Sequence, residues 1–333
     1  MSVDLQLFRK ILSVDSTSGQ EQELTALLKC ELSAPVMESF PVGDGTENLL
    51  LSWGTPRLVF CTHQDTVPPY IAPTIQGETP DDVIYGRGAC DAKGQAISMY
   101  TACKQLEANG LEGFGLLLLT GEETGSWGAK AFSKTGFRAP YLVIGEPTEN
   151  KMVSASKGTK AFELRFTGEA FHSGYPQYGR SAVDAFVDFV NALRAVEFPK
   201  DPVLGDTTWN IGRLVSDNPQ NVLSPELRCR LYFRTTFASD AFVSACPARL
   251  QVPGLAATAI GGDAPAEYFT LDGFETAPVA FGSDAPHLTG FEHKMIMGPG
   301  SIRHAHRDDE QILIRDMEDA VCNYVRIAGL LLR

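Results

Sequence analysis

Apolar residues near the start of the chain recur at the spacing of a helix face. Two such sets are present: Leu5, Phe8, Ile11 and Leu12, followed by Leu24, Leu27 and Leu28. Ser18 and Glu21 precede the second set and stand three residues apart, which is the spacing of a capping box. The pattern therefore predicts two amphipathic helices, the second capped by Ser18.

Short apolar runs bounded by turn residues follow, and such runs are typical of strands buried on both faces. They stand at 49–51, 58–61, 116–119, 141–144 and 295–297. Residues 95–107 contain no Gly or Pro and lead to Asn109 and Gly110, a signal for the end of a helix. Because strands and helices alternate, we expect an α/β domain with a mainly parallel sheet.

The middle of the chain has a different period. Phe162, Leu164 and Phe166 alternate with polar residues, and so do Leu231 and Phe233. This alternation predicts antiparallel strands with one solvent-exposed face. Ser181 with Asp184 predicts a capped helix, and 238–250 predicts another. We interpret 157–262 as a β-α-β-β-α-β insertion.

The apolar residues of 317–328 recur at helical spacing, so a last amphipathic helix returns to the first domain. The predicted organisation is one domain built from 1–156 and 263–333, interrupted by a second domain at 157–262. The fold class is thus α/β with an inserted α+β domain.

Composition narrows the class of protein. The 333 residues are 44% hydrophobic and 21% charged, as in an ordinary globular protein, which argues against disorder. The formal net charge of −13 repels phosphate backbones and anionic lipid, so we expect neither a nucleic-acid nor a membrane partner. Seven cysteines without CxxC spacing, and no signal-peptide pattern, favour reduced thiols in the cytoplasm.

Potential metal ligands follow the apolar runs or stand in a glycine-rich turn. They are His63 and Asp65 after the second run, Glu122 and Glu123 after the third, Glu146 after the fourth, His304 and His306 after the last, and Asp91 in the turn 86–94. Carboxyl ends of parallel strands face one crevice, so these side chains can converge. Imidazoles with carboxylates suit catalytic zinc, and also admit manganese or cobalt.

Two further roles follow from this spacing. Asp65 can hold the second nitrogen of His63 and fix its tautomer. Adjacent side chains of an extended segment point apart, so one of Glu122 and Glu123 binds metal while the other stays free as a general base. Each group alone is more often a solvated strand end, but together the set favours a metal site.

Other chemistries lack their motifs. Gly86 and Gly88 are not followed by the third glycine of a dinucleotide fingerprint, and no P-loop is present. Neither GxSxG nor a serine-nucleophile SxxK start occurs, and Cys61 and Cys90 are expected to be packing residues.

The motifs at 62–68, 86–94, 121–124, 145–148, 171–176 and 298–310, in this order, cover nearly the whole chain. In them the chain resembles the acetylornithine deacetylase / succinyl-diaminopimelate desuccinylase family of co-catalytic zinc aminoacylases and exopeptidases. The resemblance implies a catalytic domain interrupted by a ferredoxin-like dimerisation domain at 157–262, and hence a homodimer.

The resemblance also implies the roles of individual residues. His63, Asp91 and Glu146 would hold one zinc ion, and Asp91 would bridge to a second. Glu123 and His306 would complete that second site, which leaves His304 without a ligand role. Glu122 would deprotonate the water and protonate the leaving amine. His172 would reach a partner subunit's site and donate to the oxyanion.

Substrate contacts are expected from Asn221, Arg234, Ser283 and Gly298. A guanidinium suits a substrate carboxylate, although Arg228 and Arg230 compete with Arg234 for that role. The proline after Asn221 is one residue later than in the family pattern.

The motifs at 282–286 and 298–302 favour the acetylornithine deacetylase branch. The expected substrate is therefore an N-acyl amino acid, N-acetylornithine or a close relative such as N-acetylcitrulline, in arginine biosynthesis. The enzyme alternatives are succinyl-diaminopimelate desuccinylation and dipeptidase or carboxypeptidase cleavage. A non-catalytic metal-binding scaffold is the alternative from another class, and the presence of Glu122 argues against it.

Overall fold

The computed structural model describes residues 2–250 and 252–332, which form two compact units. The first unit comprises Met1–Ser154, Tyr268–Ala277 and Ser283–Arg333, and the second comprises Ala155–Glu267 and Pro278–Gly282. The insertion expected at 157–262 lies inside the second unit, which extends beyond it on both sides.

Sixteen strands and seven α-helices follow one another along the described chain. The strands are β1 (Val36–Gly43), β2 (Thr46–Trp53), β3 (Leu58–His63), β4 (Thr74–Ile75), β5 (Val83–Tyr85), β6 (Phe114–Leu119), β7 (Ala139–Ile144), β8 (Met152–Ser156), β9 (Gly158–Thr167), β10 (Thr208–Val215), β11 (Glu226–Thr235), β12 (Leu255–Gly261), β13 (Ala266–Glu267), β14 (Thr276–Val279), β15 (Phe291–Ile296) and β16 (Gln311–Leu313). The helices are α1 (Leu5–Leu12), α2 (Gln22–Glu31), α3 (Lys93–Ala108), α4 (Trp127–Ser133), α5 (Ala182–Arg194), α6 (Asp240–Arg249) and α7 (Ile314–Leu331).

The first unit is organised by a six-stranded sheet in the order β1-β2-β6-β3-β7-β15. Strands β6, β3, β7 and β15 run parallel, whereas β1 and β2 are antiparallel additions at one edge. Every residue of β3 and β6 is buried, which explains their continuous apolar runs. The five predicted strands and the helix expected at 95–107 are confirmed, and α3 begins two residues before that range.

A smaller sheet, in the order β16-β5-β4, brings a late part of the chain beside the glycine-rich turn. Gln311 in β16 pairs with Tyr85 in β5, directly before Gly86. The amide of Gly86 donates to the carbonyl of Glu310 at 3.0 Å. Gly86 and Glu310, which lie more than two hundred positions apart in the sequence, are thereby held together shortly before the start of α3.

The second unit contains a four-stranded antiparallel sheet in the order β10-β11-β9-β12. Its core includes Phe166, Phe189 and Phe233, contributed by β9, α5 and β11. The predicted antiparallel strands are confirmed. The Ser181 cap is confirmed as well, since its side chain accepts from the amide of Asp184 at 3.3 Å.

The capping box predicted at Ser18 and Glu21 is wrong. Helix α2 begins at Gln22, and its N-cap residue, Glu21, makes no side-chain capping bond. The Ser18 hydroxyl donates to Asp65 at 2.7 Å, and Glu21 accepts from the Thr120 hydroxyl and the Gly121 amide. Both polar side chains therefore stabilise loops that follow strands of the sheet, and neither caps the helix.

None of the helices in the described ranges is both long and apolar enough to cross a membrane. All seven cysteines are free thiols, and five of them are buried. Burial raises the pKa of Cys61 and Cys90, as expected for packing residues.

Candidate active site

The ends of the parallel strands of the first unit converge on one cluster of imidazoles and carboxylates. His63 is the last residue of β3, Glu122 and Glu123 follow β6, and Glu146 follows β7. Ligand atoms of His63, Asp91 and Glu146 lie within 4.8 Å of one another, and so do those of Asp91, Glu123 and His306. A third such set contains His63 with Glu122 and Glu123. The convergence expected from the sheet topology is thus present in the structure.

Asp91 is the residue that the first two sets share. Its Oδ1 lies 3.0 Å from His63 Nε2, and its Oδ2 lies 3.2 Å from His306 Nε2. His306 Nε2 also lies 2.8 Å from Glu123 Oε1. Each oxygen of one carboxylate therefore faces a different imidazole, the arrangement needed to bridge two cations.

The turn that carries Asp91 is held by a buried ion pair. Glu310 Oε1 accepts from the amides of Gly88, Cys90 and Asp91 at 3.0, 3.1 and 3.0 Å. Its Oε2 accepts from the Arg87 guanidinium at 2.6 Å, and both side chains are almost fully buried. Three amides converging on one oxygen define the backbone path of the turn, and thus the position of Asp91.

Asp65 fixes both His63 and the loop after β6. His63 Nδ1 lies 2.9 Å from the carbonyl oxygen of Asp65 and 3.4 Å from its Oδ1. The carboxylate of Asp65 accepts from the amides of Glu122 and Glu123 at 3.0 and 3.1 Å. The second nitrogen of the imidazole thus has an acceptor, which leaves Nε2 to face Asp91.

Electrostatics in the cluster are dominated by buried acids. Burial, with nearby carboxylates such as Asp91, raises the pKa of Glu122 and Glu146 well above the usual range. Hydrogen bonds to Asp91 and Glu123 raise the pKa of His306 to about 10. Burial alone would raise the pKa of Asp91, but its bonds to His306 and His63 lower it.

These donors fit divalent cations. Crowded carboxylates with two imidazoles and no thiolate match the ligands of catalytic zinc, and they also suit manganese or cobalt. A dication would stabilise the ionised form of the acids whose pKa burial raises. The donor set fits two such ions, one beside His63 and Glu146 and the other beside Glu123 and His306, with Asp91 between them.

Three other predicted residues of the first unit have clear environments. Ser283 is 7% exposed, and its hydroxyl accepts from the Ala285 amide. A side chain at Gly298 would collide with Gln95 and with the carbonyl of Glu146, so only glycine fits there. His304 is absent from the metal-ligand sets and contacts Gln311 at 3.3 Å.

The remaining predicted residues lie in the second unit. His172 is exposed, and its Nδ1 accepts from the Gly174 amide at 3.0 Å. Asn221 is close to it along the backbone, because the Ser173 amide donates to the Asn221 carbonyl. Arg234 is half-buried with its guanidinium over the Tyr232 ring, whereas Arg228 and Arg230 are exposed.

Sequence reasoning missed two buried acids beside the cluster. Glu310 is the last residue of the 298–310 motif, but only the fold shows that it is buried and that it accepts from the amides of the Asp91 turn. Asp284 is 3% exposed and hydrogen-bonded to the Ser126 side chain, and burial raises its pKa to about 6. Gly282 and Ser283 belong to the 282–286 motif that the sequence analysis singled out. Only the fold shows that the charge of Asp284 helps to raise the pKa of Glu122.

The profile of Peptidase family M20/M25/M40 matches residues 59–329. A probable carboxypeptidase from Aspergillus oryzae is 32% identical over 370 residues, covering 97% of this chain and 86% of that protein.

Solved structures share the fold at low sequence identity. A tripeptidase from Staphylococcus aureus aligns with a TM-score of 0.81 and 18% identity, covering 99% of this chain and 98% of the other. A dinuclear metal-binding peptidase of the M20 family from Bacillus subtilis aligns with a TM-score of 0.70 and 13% identity, covering 98% and 97%. The family profile and the fungal relative establish that this chain belongs to peptidase family M20/M25/M40.

Proposed function

We propose that this chain hydrolyses the amide bond of a small N-acyl or N-peptidyl amino acid with the help of two divalent metal ions, most favourably zinc. One observation carries the proposal. The two oxygens of Asp91 face two different imidazoles, and Glu122 lies in the same cluster with its proton affinity raised by burial. Such a site suits hydrolysis because a general base stands beside the place where water would be activated.

The roles of the individual residues follow from this arrangement. Bound dications would polarise the substrate carbonyl and lower the pKa of water. Glu122 would accept the proton of the attacking water and return it to the nitrogen of the leaving amine, so the products are a carboxylate and a free amine. His63, Asp91 and Glu146 would hold one ion, and Asp91, Glu123 and His306 the other. Asp65 would orient His63 and the base-bearing loop.

The relatives support a peptide substrate over N-acetylornithine. Two Aspergillus relatives, from A. oryzae and A. terreus, each align with 97% of this chain and are named probable carboxypeptidases. The acetylornithine branch and a place in arginine biosynthesis gain no support from these two relatives. A carboxypeptidase and an N-acyl amino acid deacylase both release an amino acid from its amide. We therefore rank short peptides first and N-acetylornithine, N-acetylcitrulline and succinyl-diaminopimelate after them.

Features of the second unit support the predicted dimer. Its strand order and its succession of strand, helix, strand, strand, helix and strand support a ferredoxin-like assignment. Val183 and Val187 on α5 are 37% and 48% exposed, an apolar surface that a second copy could cover. The oxyanion contact of His172 and the substrate contacts of Asn221, Arg234, Ser283 and Gly298 are part of this proposal.

A substrate panel tests the proposed function. We expect the zinc-loaded protein to hydrolyse at least one short peptide or N-acyl amino acid, to lose this activity with a chelator and to regain it with zinc. Glu122→Gln should lower kcat by about a hundred- to ten-thousandfold, because the amide cannot carry the proton, while zinc content stays unchanged. The measurement is kcat/KM with each compound, alongside metal analysis.

The panel also separates the alternatives. Preference for a peptide supports the carboxypeptidase or dipeptidase assignment, whereas preference for N-acetylornithine restores the biosynthetic one. A folded, zinc-loaded protein that is inert toward every compound would instead support the metal-binding scaffold and overturn the proposal.

The two histidines of the 298–310 loop provide a matched pair. His306→Ala should abolish hydrolysis and weaken the binding of one metal ion. Loss of a residue that only hydrogen-bonds to a metal ligand costs up to roughly a hundredfold in metal affinity, and loss of the ligand His306 itself should cost more. His304→Ala should change neither, because His304 lies outside the ligand sets. Zinc titrations and kcat/KM of both variants measure this, and the opposite pattern would reverse the assignment.

Metal affinity should rise with pH. The pKa of His306 is about 10 in the metal-free cluster, so its imidazole is protonated at neutral pH, and metal binding must expel that proton. When metal binding releases one proton, the apparent metal affinity rises by about tenfold for each pH unit. The apparent Kd of the metal should therefore decrease as the pH is raised from about 6 to about 8. Calorimetry in buffers of different ionisation enthalpy measures the release, and a Kd independent of pH would contradict this account.

A further inference from the structure

A buried glutamine near the start of α3 touches three segments that carry proposed metal ligands. Gln95 is the third residue of that helix, and its side chain is fully buried. It belongs to none of the metal-ligand sets found in the described ranges. The three segments are the turn 86–94 with Asp91, the residues after β7 with Glu146, and the loop 298–306 with His306, called below the Asp91 turn, the Glu146 segment and the His306 loop.

The amide nitrogen of Gln95 joins the Asp91 turn to the His306 loop. Nε2 donates to the carbonyl of Cys90 at 3.0 Å and to the carbonyl of Pro299 at 2.8 Å. Cys90 directly precedes Asp91, and Pro299 is near the start of the His306 loop. Carbonyl oxygens only accept hydrogen bonds, so the two N–H groups of one side-chain amide suit this pair.

Two glycines leave the room that Gln95 occupies. A β-carbon at Gly298 would lie 2.1 Å from Gln95 Oε1, and one at Gly145 would lie 3.0 Å from Gln95 Cβ. Gly145 directly precedes Glu146. The side chain is thus in close contact with the Glu146 segment as well as with the His306 loop.

Stability of the core alone does not explain a glutamine at this position. Gln95 Oε1 is buried and has no hydrogen-bond partner among residues 2–250 and 252–332. A buried acceptor without a donor is unfavourable. What the amide provides is the pair of bonds to Cys90 and Pro299, and these bonds fix one segment relative to another.

Other hydrogen bonds hold the start of the His306 loop to the Glu146 segment. The Gly298 carbonyl accepts from the amide of Asn150 at 2.9 Å, and the Gly300 carbonyl accepts from the amide of Glu149 at 2.7 Å. These bonds fix the loop relative to the end of β7, and they do not involve the Asp91 turn.

The start of the His306 loop is joined to the Asp91 turn by the glutamine amide and by a weaker bond. The Cys90 thiol donates to the Ser301 carbonyl at 3.4 Å, and a thiol is a weak donor. The end of the loop is held separately, because the Arg87 guanidinium donates to the carbonyl of Arg307 at 3.0 Å. His306 thus lies between two anchors, and the glutamine amide is the stronger part of the first.

The position of His306 depends on these anchors. Its φ is 63°, a conformation that is uncommon for residues other than glycine, and its side chain is 48% exposed, so packing does little to hold it. His306 Nε2 lies 3.2 Å from Asp91 Oδ2. A shift of the loop relative to the turn would change this distance directly.

We propose that Gln95 is a positioning residue that fixes His306 relative to Asp91, and so sets the affinity of the metal position that these two residues form with Glu123. The inference rests on the proposed two-metal hydrolase. Gln95 touches no metal ion itself and acts through the backbone that carries the ligands.

The two ions should differ in their dependence on Gln95. Without it, the Asp91 turn keeps its three amide bonds to Glu310, whereas the start of the His306 loop loses its main bond to that turn. Loss of Gln95 therefore weakens the ion beside His306 more than the ion beside His63.

Zinc titration of Gln95→Met tests the proposal. Methionine has nearly the same length but no N–H donor, so both carbonyls lose their partner. We expect the Kd of the ion beside His306 to rise by at least about tenfold, and that of the other ion to change by less than about threefold, since loss of a group that orients ligands costs roughly ten- to a hundredfold. The binding step that His306→Ala weakens identifies the ion beside His306.

Activity provides the second readout. At a zinc concentration that fills the wild type, kcat of Gln95→Met should fall because one ion is missing. It should recover when the zinc concentration is raised about a hundredfold, which offsets the weakened Kd. A general loss of packing would not be reversed by metal.

Thr101→Val provides a matched control on the same helix. Thr101 is 4% exposed, and its hydroxyl donates to the Ile97 carbonyl at 2.8 Å, so the isosteric valine also removes a buried hydrogen bond. This variant should lose thermal stability but keep the zinc Kd values and the kcat of the wild type.

The possible outcomes separate this inference from the proposed function. Should Gln95→Met fail to fold, Gln95→Asn makes the same test, because its amide is one methylene group shorter and cannot reach both carbonyls. Unchanged zinc Kd values in a folded Gln95 variant would overturn the inference but not the proposed function. Equal weakening of both ions, or a loss of kcat that added zinc does not reverse, would also overturn it. A wild type that binds fewer than two zinc ions would overturn the proposed function and this inference together.

Discussion

The position of the Asp91 carboxylate is the constraint on which the rest of the site depends. Its two oxygens lie 3.0 and 3.2 Å from the Nε2 atoms of His63 and His306, which come from distant parts of the chain. The turn that presents it is held by Glu310 through three amides, and Glu310 is itself neutralised by buried Arg87. A buried acid paired in this way costs less than an isolated one and fixes the backbone around it.

The second half of the site is positioned by Asp65 in the same manner. Asp65 joins three segments, since it accepts from Ser18 and from the amides of Glu122 and Glu123 and also lies against His63. The sheet provides the rough convergence of strand ends, and these buried carboxylates provide the precise placement. Glu310 and Asp65 are thus two buried carboxylates whose hydrogen bonds position the groups that would bind the cations.

The sequence predicted much of the architecture because burial leaves a clear mark on it. The fully buried strands β3 and β6 have continuous apolar runs in the sequence. Strands β9 and β11 are exposed to solvent on one face, and their apolar and polar residues alternate. The convergence of His63, Asp91, Glu123, Glu146 and His306 followed from the topology of a parallel sheet. Their roles as ligands remain a prediction from the family resemblance.

The failures have one physical cause. Ser18 and Glu21 have the local spacing of a capping box, but tertiary hydrogen bonds to Asp65, Thr120 and Gly121 use those side chains instead. Glu310 and Asp284 are buried acids whose neighbours come from elsewhere in the chain, so local patterns cannot reveal them. The choice of substrate stays a prediction, because short sequence motifs do not determine the shape of a substrate pocket.

The most direct test of the central claim is the zinc content of Asp91→Asn. If Asp91 bridges two ions, its replacement by a neutral amide removes an anionic ligand from both positions. At a free zinc concentration that fills the wild type with about two ions per chain, this variant should retain less than about one. Retention of two ions with unchanged affinity would contradict the account.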